Sequence, residues 1–538
     1  MKKLVKSAFA ALTLAILAAC GGGGGDAPVA VAPSAPDASV TPPVVTPPPV
    51  VTPPVVIPPP VVTPPGVQAL ARAVALASKA DLAFNTAVPD TPGGAQFLND
   101  GCYLNSGFTK AMNIAIIDAD IPAYVASNAY RIGSTRANVR VSAERNITNA
   151  DGSTRSEADV LYDINYTDGS KDTDSQSVMV TGSTSGLCAT PQNSVESRFL
   201  GNQRVVGVFV NARNDRNEQY SRTTGQLLPN AARYTNALQF GVSDPQGKAA
   251  YAIVTGPGSF NINGVPTPFS IKLLSTRLLR QDTLLAGKNG NFSNWKAEDT
   301  FRFCRTPASL TGNANSPIPA NLTECSLGAN NNLIGRDLNV TSAGANTTLI
   351  SALDQSFANI GFAAGGTYTF KIYNDDGWKT VNGEAGKTPI ATYTAVNDTL
   401  PYTFAQMVGT NGFEDHKFAK LVSSSLDPVQ TAAALGSSAP SPLSLAWSAP
   451  VAQDDGRVFR FTEVGEFFQG AKTSNAVGAF FPAERYYKPT YLTGNSTAAN
   501  ALAITPTPSS IQNKSYAEFG LYYTDRNRGR IFNFISFQ

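Results

Sequence analysis

Val139-Arg140-Val141-Ser142-Ala143-Glu144-Arg145-Asn146-Ile147 puts Val139, Val141, Ala143, Arg145 and Ile147 on one side of an extended chain. Period-two spacing of this kind belongs to a strand with one sheltered face and not to a helix. Asn149-Ala150-Asp151-Gly152 comes next, and then Val160, Tyr162, Ile164 and Tyr166 alternate again. Asn, Asp and Gly tolerate the backbone conformations of a tight reversal, so the stretch predicts a β-hairpin.

Upstream of the hairpin the period changes. Val67 to Thr86 is rich in Ala and Leu, with Leu70, Val74 and Ala77 on one face, and predicts an amphipathic helix that docks on the chain downstream of it. After a break at Pro89–Gly94 comes Cys102-Tyr103-Leu104, then a second helical stretch from Thr109 to Asp118. Beyond the hairpin the chain is strand after strand. Ser175–Thr181 is one, and another runs from Phe199 through Gly201-Asn202-Gln203-Arg204 into Val205–Val210. Leu238–Val242 and Ala250–Thr255 flank the turn Asp244-Pro245-Gln246-Gly247. Leu273–Leu285 reads as strand or short helix, and Phe301–Cys304 as a strand end. A fresh β unit begins near Asn339, with Thr367–Tyr373 and Pro389–Thr394 its clearest strands.

The expected fold class is therefore α+β, predominantly β and multi-domain, with N-terminal helices packed on an antiparallel sheet and β-sandwich-like domains after them. Composition shifts divide the chain into 1–19 (leader), 20–66 (Gly/Pro-rich linker), 67–210 (α+β), 211–335 and 336–422 (β-rich), 423–441 (Ser/Ala/Pro-rich linker) and 442–538 (β-sandwich). About 470 residues follow Gly66, enough for several cores.

Met1-Lys2-Lys3 is a basic start, Ala8 to Ala19 is apolar, and Leu17-Ala18-Ala19-Cys20 precedes five glycines. A run of about a dozen apolar residues is too short to span a bilayer and has the length of an export signal. The Leu-Ala-Ala-Cys box resembles the lipobox of bacterial lipoproteins. That resemblance implies cleavage before Cys20, acylation of Cys20 and, with Gly21 after it, transfer to the outer membrane. A Thr-Pro-Pro-Val-Val repeat then runs through Thr41, Thr46, Thr52 and Thr63 with small variations. Proline fixes φ and removes donors, so this tether is expected to be polyproline II, reaching roughly 120 Å at ~3.1 Å per residue.

Two further resemblances concern the body. Helices followed by long antiparallel strands over Val67 to Val210 resemble the nuclear-transport-factor-like α+β cone, in which a curved sheet wraps a helix and often leaves a pocket. Leu443, Leu445 and Trp447 before Pro450, with Tyr516, Phe519 and Leu521 and then Asn527 and Gly529, resemble a fibronectin type III module over Pro442 to Gln538. The stretch Phe467–Tyr491 departs from that family's pattern.

Lys+Arg is 41 against 39 Asp+Glu, and losing Lys2, Lys3 and Lys6 with the leader brings the cations to 38. A near-neutral chain without a basic stripe excludes a nucleic-acid surface. With Cys20 lipidated, Cys102, Cys188, Cys304 and Cys325 remain. In an oxidising compartment four cysteines predict two bridges, and Cys102–Cys188 with Cys304–Cys325 keeps each pair inside one domain. No C-x-x-C spacing occurs and there is one histidine, His416, so neither a metal nor another cofactor is expected. Asn374-Asp375-Asp376-Gly377-Trp378 puts paired carboxylates beside an aromatic residue. Asp375, Asp376 and Trp378 suit a ligand or Ca²⁺, but Asn-Asp-Asp-Gly is also what a tight hairpin turn prefers.

The sequence thus points to a non-enzymatic cell-envelope lipoprotein, tied to the membrane by its N-terminal lipid and presenting β-rich domains to a protein, glycan or small ligand. A carboxylate-based hydrolase or lyase and a structural spacer are the alternatives.

Overall fold

The computed structural model describes residues 67–84, 98, 101–119, 131–149, 152–167, 169, 171–181, 188, 197–228, 233–262, 265–275, 277–278, 300–303, 337–343, 354, 359–379, 383–408, 418, 420–421, 429, 443–448, 460–470, 472–474, 480–482, 485–491, 500–504, 514–524 and 530–537. The leader, Cys20, the tether, Cys304, Cys325 and His416 lie outside them. The fold is α+β and predominantly β, with strands mostly antiparallel.

The first unit holds helix α1 (Val67–Phe84), the short strands β1 (Leu104–Asn105) and β2 (Phe108–Thr109), and helix α2 (Lys110–Ala119). Its sheet runs β3 (Thr135–Thr148), β4 (Thr154–Asn165), β5 (Lys171–Thr181) and β6 (Ser197–Gly201), in that order. The expected hairpin is β3–β4, closed where the Gly152 amide donates to the Asn149 carbonyl at 3.0 Å.

Helix α1 does dock on the sheet, but by a different face. Ala69, Ala73, Leu76 and Ala80 meet Ala158, Val160, Met179 and Phe199, whereas Leu70 and Val74 stay 40% and 44% exposed. Of the three residues expected to face inward, Ala77 alone is buried. Alanine lets the helix axis come close to the strands, and the ion pairs Arg72–Glu144 (2.9 Å) and Asp81–Arg136 (2.6 Å) flank the alanine stripe. Turning Leu70 and Val74 inward would break both.

The strand expected to run unbroken from Phe199 to Val210 is two strands in two sheets. β6 ends at Gly201, where φ is +73° and an added Cβ would lie 2.5 Å from the Leu104 carbonyl oxygen. Gln203 then adopts φ +56°, and the chain re-emerges as β7 (Gly207–Tyr220).

The second unit adds β8 (Arg233–Ser243), β9 (Tyr251–Ile262), β10 (Val265–Leu274), β11 (Arg302–Phe303), β12 (Asp337–Ala343), β13 (Gly366–Tyr373), β14 (Ala391–Asn397) and a short helix α3 (Phe404–Val408). A five-stranded sheet, β11-β10-β9-β13-β14, faces β7 and β8 across one apolar core. Phe240 of β8 lies against Phe269 and Tyr368 of the opposite sheet, with centroids 5.3 and 5.2 Å away. The Asp244 turn is accordingly no hairpin. β8 and β9 belong to opposite sheets, and the turn carries the chain across the sandwich.

The C-terminal stretch supplies β15 (Lys420–Leu421), β16 (Leu443–Ser448), β17 (Arg460–Gly470), β18 (Lys472–Ser474), β19 (Phe480–Pro482), β20 (Arg485–Tyr491), β21 (Asn500–Ile504), β22 (Lys514–Thr524) and β23 (Arg530–Phe537). β15-β16-β21 form a small sheet. β23, β22, β17 and β20 do not close a sheet of their own. β23 pairs in parallel with β7, from Arg530↔Arg213 to Phe537↔Tyr220, giving one seven-stranded sheet β12-β8-β7-β23-β22-β17-β20.

The boundaries expected at 335/336 and 423–441 therefore run through shared sheets: β8 and β9 pair with strands from beyond the first, and β7 with a strand from beyond the second. Local alternation marks a strand but says nothing of which distant edge it will meet.

Candidate functional site

The paired carboxylates lie on the connection between β13 and β14. These strands do pair, from Gly366↔Asn397 to Ile372↔Ala391, but residues 374–390 between them are no tight hairpin. The segment opens into a 3-10 turn at Gly377–Lys379. One oxygen of Asp375, Oδ1, accepts the Gly377 amide at 2.6 Å, the Lys387 ammonium at 2.6 Å and the Tyr251 hydroxyl at 3.1 Å. Asp376 is exposed and meets the same ammonium at 3.2 Å. Beneath them the buried Lys272 donates to the Gly377 carbonyl at 3.3 Å and pairs with Glu384 at 3.0 Å. Its ammonium lies 5.5 Å from the centre of the Tyr251 ring, which stacks on Tyr373 at 4.8 Å.

Burial works against ionisation of Asp375, but the Lys387, Gly377 and Tyr251 donors outweigh it and hold the carboxyl below its usual range. The hydrogen bond to Asp375 likewise raises Lys387. Burial, followed by the bond to Asp375, pushes Tyr251 upward. Trp378 is buried in the sandwich core and so is not presented to a ligand. The three expected site residues are thus neighbours that fasten the turn at Asp375–Lys379 to the sheet, with each carboxylate already facing the Lys387 ammonium. Among the described residues, no group of three or more His, Cys, Asp or Glu is placed to hold a metal.

A second place has the shape of a site. A cleft of about 790 Å³ opens between the first unit's sheet and the Asp244 turn of the sandwich. Cys102 and Cys188 line it and are joined in a disulfide with Cα atoms 5.0 Å apart, one of the two expected pairings. A bulge sets which β3 residues turn to the cleft side of the sheet. Val141 pairs with Val160 toward α1, but the register shifts before Ala143, which pairs with Asp159. An extra residue reverses the alternation, so Ala143, Arg145 and Ile147 leave the face of Val141 for the opposite one. Arg145, expected on a single stripe with Val139 and Val141, stands instead beside Glu157.

Glu157 is buried and held from both sides, by Arg155 at 2.9 Å and Arg145 at 3.1 Å. Arg145 also reaches Asp159 at 2.7 Å, and Arg155 bonds Asn149. From the first unit, Gln203 Nε2 donates to the Cys102 carbonyl at 3.0 Å and to that of Leu200. From the sandwich, Gln246 Nε2 donates to the Gly107 carbonyl at 2.6 Å. The turn itself is fixed by Asp244, whose buried carboxylate accepts the amides of Ala249 at 2.6 Å and Lys248 at 3.1 Å. Burial raises the Asp244 carboxyl despite those amides and nearby Arg277.

Apart from the cysteine pair, none of these residues stands out in the sequence as a site. The available signals are Arg145 on an apolar stripe and Asn202-Gln203-Arg204 interrupting a strand.

No family model matches this sequence, and no curated protein matches it. Among solved structures, one match at 8% identity covers 62% of this chain and 64% of the other, with a TM-score of 0.14. It is described as structural insight into host cell surface retention of a 1.5-MDa bacterial ice-binding adhesin. The alignment spans less than two thirds of that chain, and a TM-score of this size describes no shared fold.

Proposed function

We propose that this protein is a non-enzymatic cell-envelope lipoprotein, anchored through Cys20 and holding a β-rich binding body away from the outer membrane on its Pro/Val tether. The observation that carries the binding role is the cleft. It lies at the junction of two folding units, where ligand sites are commonly found, and its size is that of a small-molecule site. A carboxylate hydrolase would need two free acids on opposite sides of a substrate. The carboxylate lining the cleft, Glu157, is already shared between two arginines, and Asp375 and Asp376 share Lys387, which supports binding over hydrolysis. The fibronectin type III-like reading of 442–538 draws support from the strand groups β16-β21 and β20-β17-β22-β23, which β15 and β7 extend from outside that range. Among the described residues, no helix is long and apolar enough to cross a membrane, which is compatible with attachment by lipid.

The reading is tested in two arms. Cys20→Ser should move the protein from the detergent phase to the soluble fraction. In a glycan and peptide array probed with the detergent-solubilised protein, Thr148→Trp, which fills the cleft from an exposed position, should abolish the signals seen with wild type. A Cys20→Ser protein that stays in the membrane would overturn the anchor. Array signals indifferent to Thr148→Trp would overturn the cleft.

A further inference from the structure

The cleft's ligand class can be read from the hydrogen-bonding capacity that its walls leave unspent, an inference that rests on the binding role proposed above. Lys248 lines the cleft and is exposed, and its ammonium makes no ion pair among the described residues. Its backbone is held in place by Asp244. Arg155 spends Nε on Glu157 and Nη1 on Asn149, leaving Nη2 without a hydrogen bond among the described residues. Gln203 and Gln246 both use their NH₂ groups on backbone carbonyls, so their own Oε1 atoms remain as acceptors.

Two cationic donors and two uncharged amide acceptors therefore line one concavity. Glu157 and Asp159 balance Arg145 and Arg155, so the net positive charge at the cleft rests on Lys248, while Arg155 still offers the Nη2 donor. An anion satisfies the first pair of groups, and only a donor satisfies the second. A ligand carrying both a carboxylate and several hydroxyls matches the set. A neutral sugar offers Lys248 and Arg155 only uncharged hydroxyl acceptors, and a simple carboxylic acid leaves the glutamine carbonyls unused. We infer that the cleft binds a carboxylate-bearing sugar, its acid group against Lys248 and Arg155 and its hydroxyls against Gln203 and Gln246.

The test is calorimetry on the detergent-solubilised full chain at low salt, with a trimer of galacturonic acid and, as the neutral counterpart, a trimer of galactose. Charge-assisted hydrogen bonds are roughly twice as strong as neutral ones, and charged contacts at a cleft rim weaken as salt is added. The acidic trimer should bind at least about tenfold more tightly than the neutral one. Lys248→Met should remove most of that preference at unchanged melting temperature, and Lys248→Arg should keep it. Raising the salt should shrink the preference as well. Equal binding of the two trimers, or a preference untouched by Lys248→Met, would overturn the inference. So would binding of neither trimer. In each of those cases the array separately reports whether the cleft binds anything at all, so the ligand class can fail while the binding role stands.

Discussion

Replacing Asp375 by Asn separates a fastening role from a ligand-binding one. In the wild type, Asp375 Oδ1 takes three donors, and its side chain is 31% exposed. Asparagine keeps an acceptor for the Gly377 amide and the Tyr251 hydroxyl but loses the charge opposite Lys387. A hydrogen bond to a charged group contributes about 1.5–3 kcal/mol and a neutral one about 0.5–1.5, so the exchange costs about 1–2 kcal/mol, with solvent screening favouring the lower end. Asp376 is 75% exposed and makes a single 3.2 Å contact with Lys387, so Asp376→Asn should cost no more than about 0.5 kcal/mol. Urea unfolding followed by tryptophan emission measures both, because Trp378 adjoins the turn and is buried.

The pH dependence gives a second readout. Asp375 titrates below its unfolded value, so its contribution is complete above an unfolded pKa of about 3.9 and is lost as pH falls through the folded one. The gap between wild type and Asp375→Asn should be constant near neutrality and vanish as the pH approaches and passes the folded pKa. Equal costs at the two positions, or a chelator that lowers the melting temperature of the wild type alone, would refute the fastening role.

Two other outcomes are set by the packing. Peptide mapping of the unreduced protein should yield Cys102 joined to Cys188 and, on the sequence pairing, Cys304 joined to Cys325. Removing the first bridge as a double Cys→Ser change should cost about 4–5 kcal/mol, given a separation of 86 residues. On α1, Ala73→Leu should destabilise by about 1–3 kcal/mol through overpacking against β3–β5, while Leu70→Ser should stay within about 0.5 kcal/mol. Thermal melts would show the reverse order if the leucine face were the buried one.

What could be read in advance was whatever local chemistry determines. Alternation gave β3 and β4, strand-like runs gave parts of β5, β8, β9, β13 and β14, and the Ala/Leu-rich stretch gave α1, because these signals lie within a few residues of one another. Three things were not local. The face α1 buries depends on Glu144 and Arg136, far along the chain from their partners Arg72 and Asp81. The face each half of β3 presents depends on a bulge, and one inserted residue inverts every side chain beyond it. The destination of the chain after Asp244 depends on which sheet has room, so a turn well suited to a hairpin serves a crossing instead. The same limit hid the cleft. Lys248, Gln203 and Arg155 come from three elements and acquire a joint meaning only when the first unit meets the sandwich.

β7 makes that meeting a fixed one. Its first half enters the sandwich core from Val205, whose amide donates to the Tyr393 hydroxyl at 3.0 Å. Its second half, Arg213–Tyr220, is polar and forms the seam with β23. There the Arg213 guanidinium lies 4.6 Å from the Phe532 ring centre, the Ser536 hydroxyl meets Asn217 at 2.9 Å, and Tyr220 stacks on Phe537 at 5.7 Å. Side-chain pairing of this kind specifies a register that backbone bonds alone leave open to slippage. The Asp244 turn stands at the end of β8, next to β7 in the same sheet, so the far wall of the cleft is braced by strands reaching to the C-terminal segment. On the near side, α1 begins directly after the tether and covers one face of the first sheet. The cleft thus opens on the face of the first sheet that α1 leaves free.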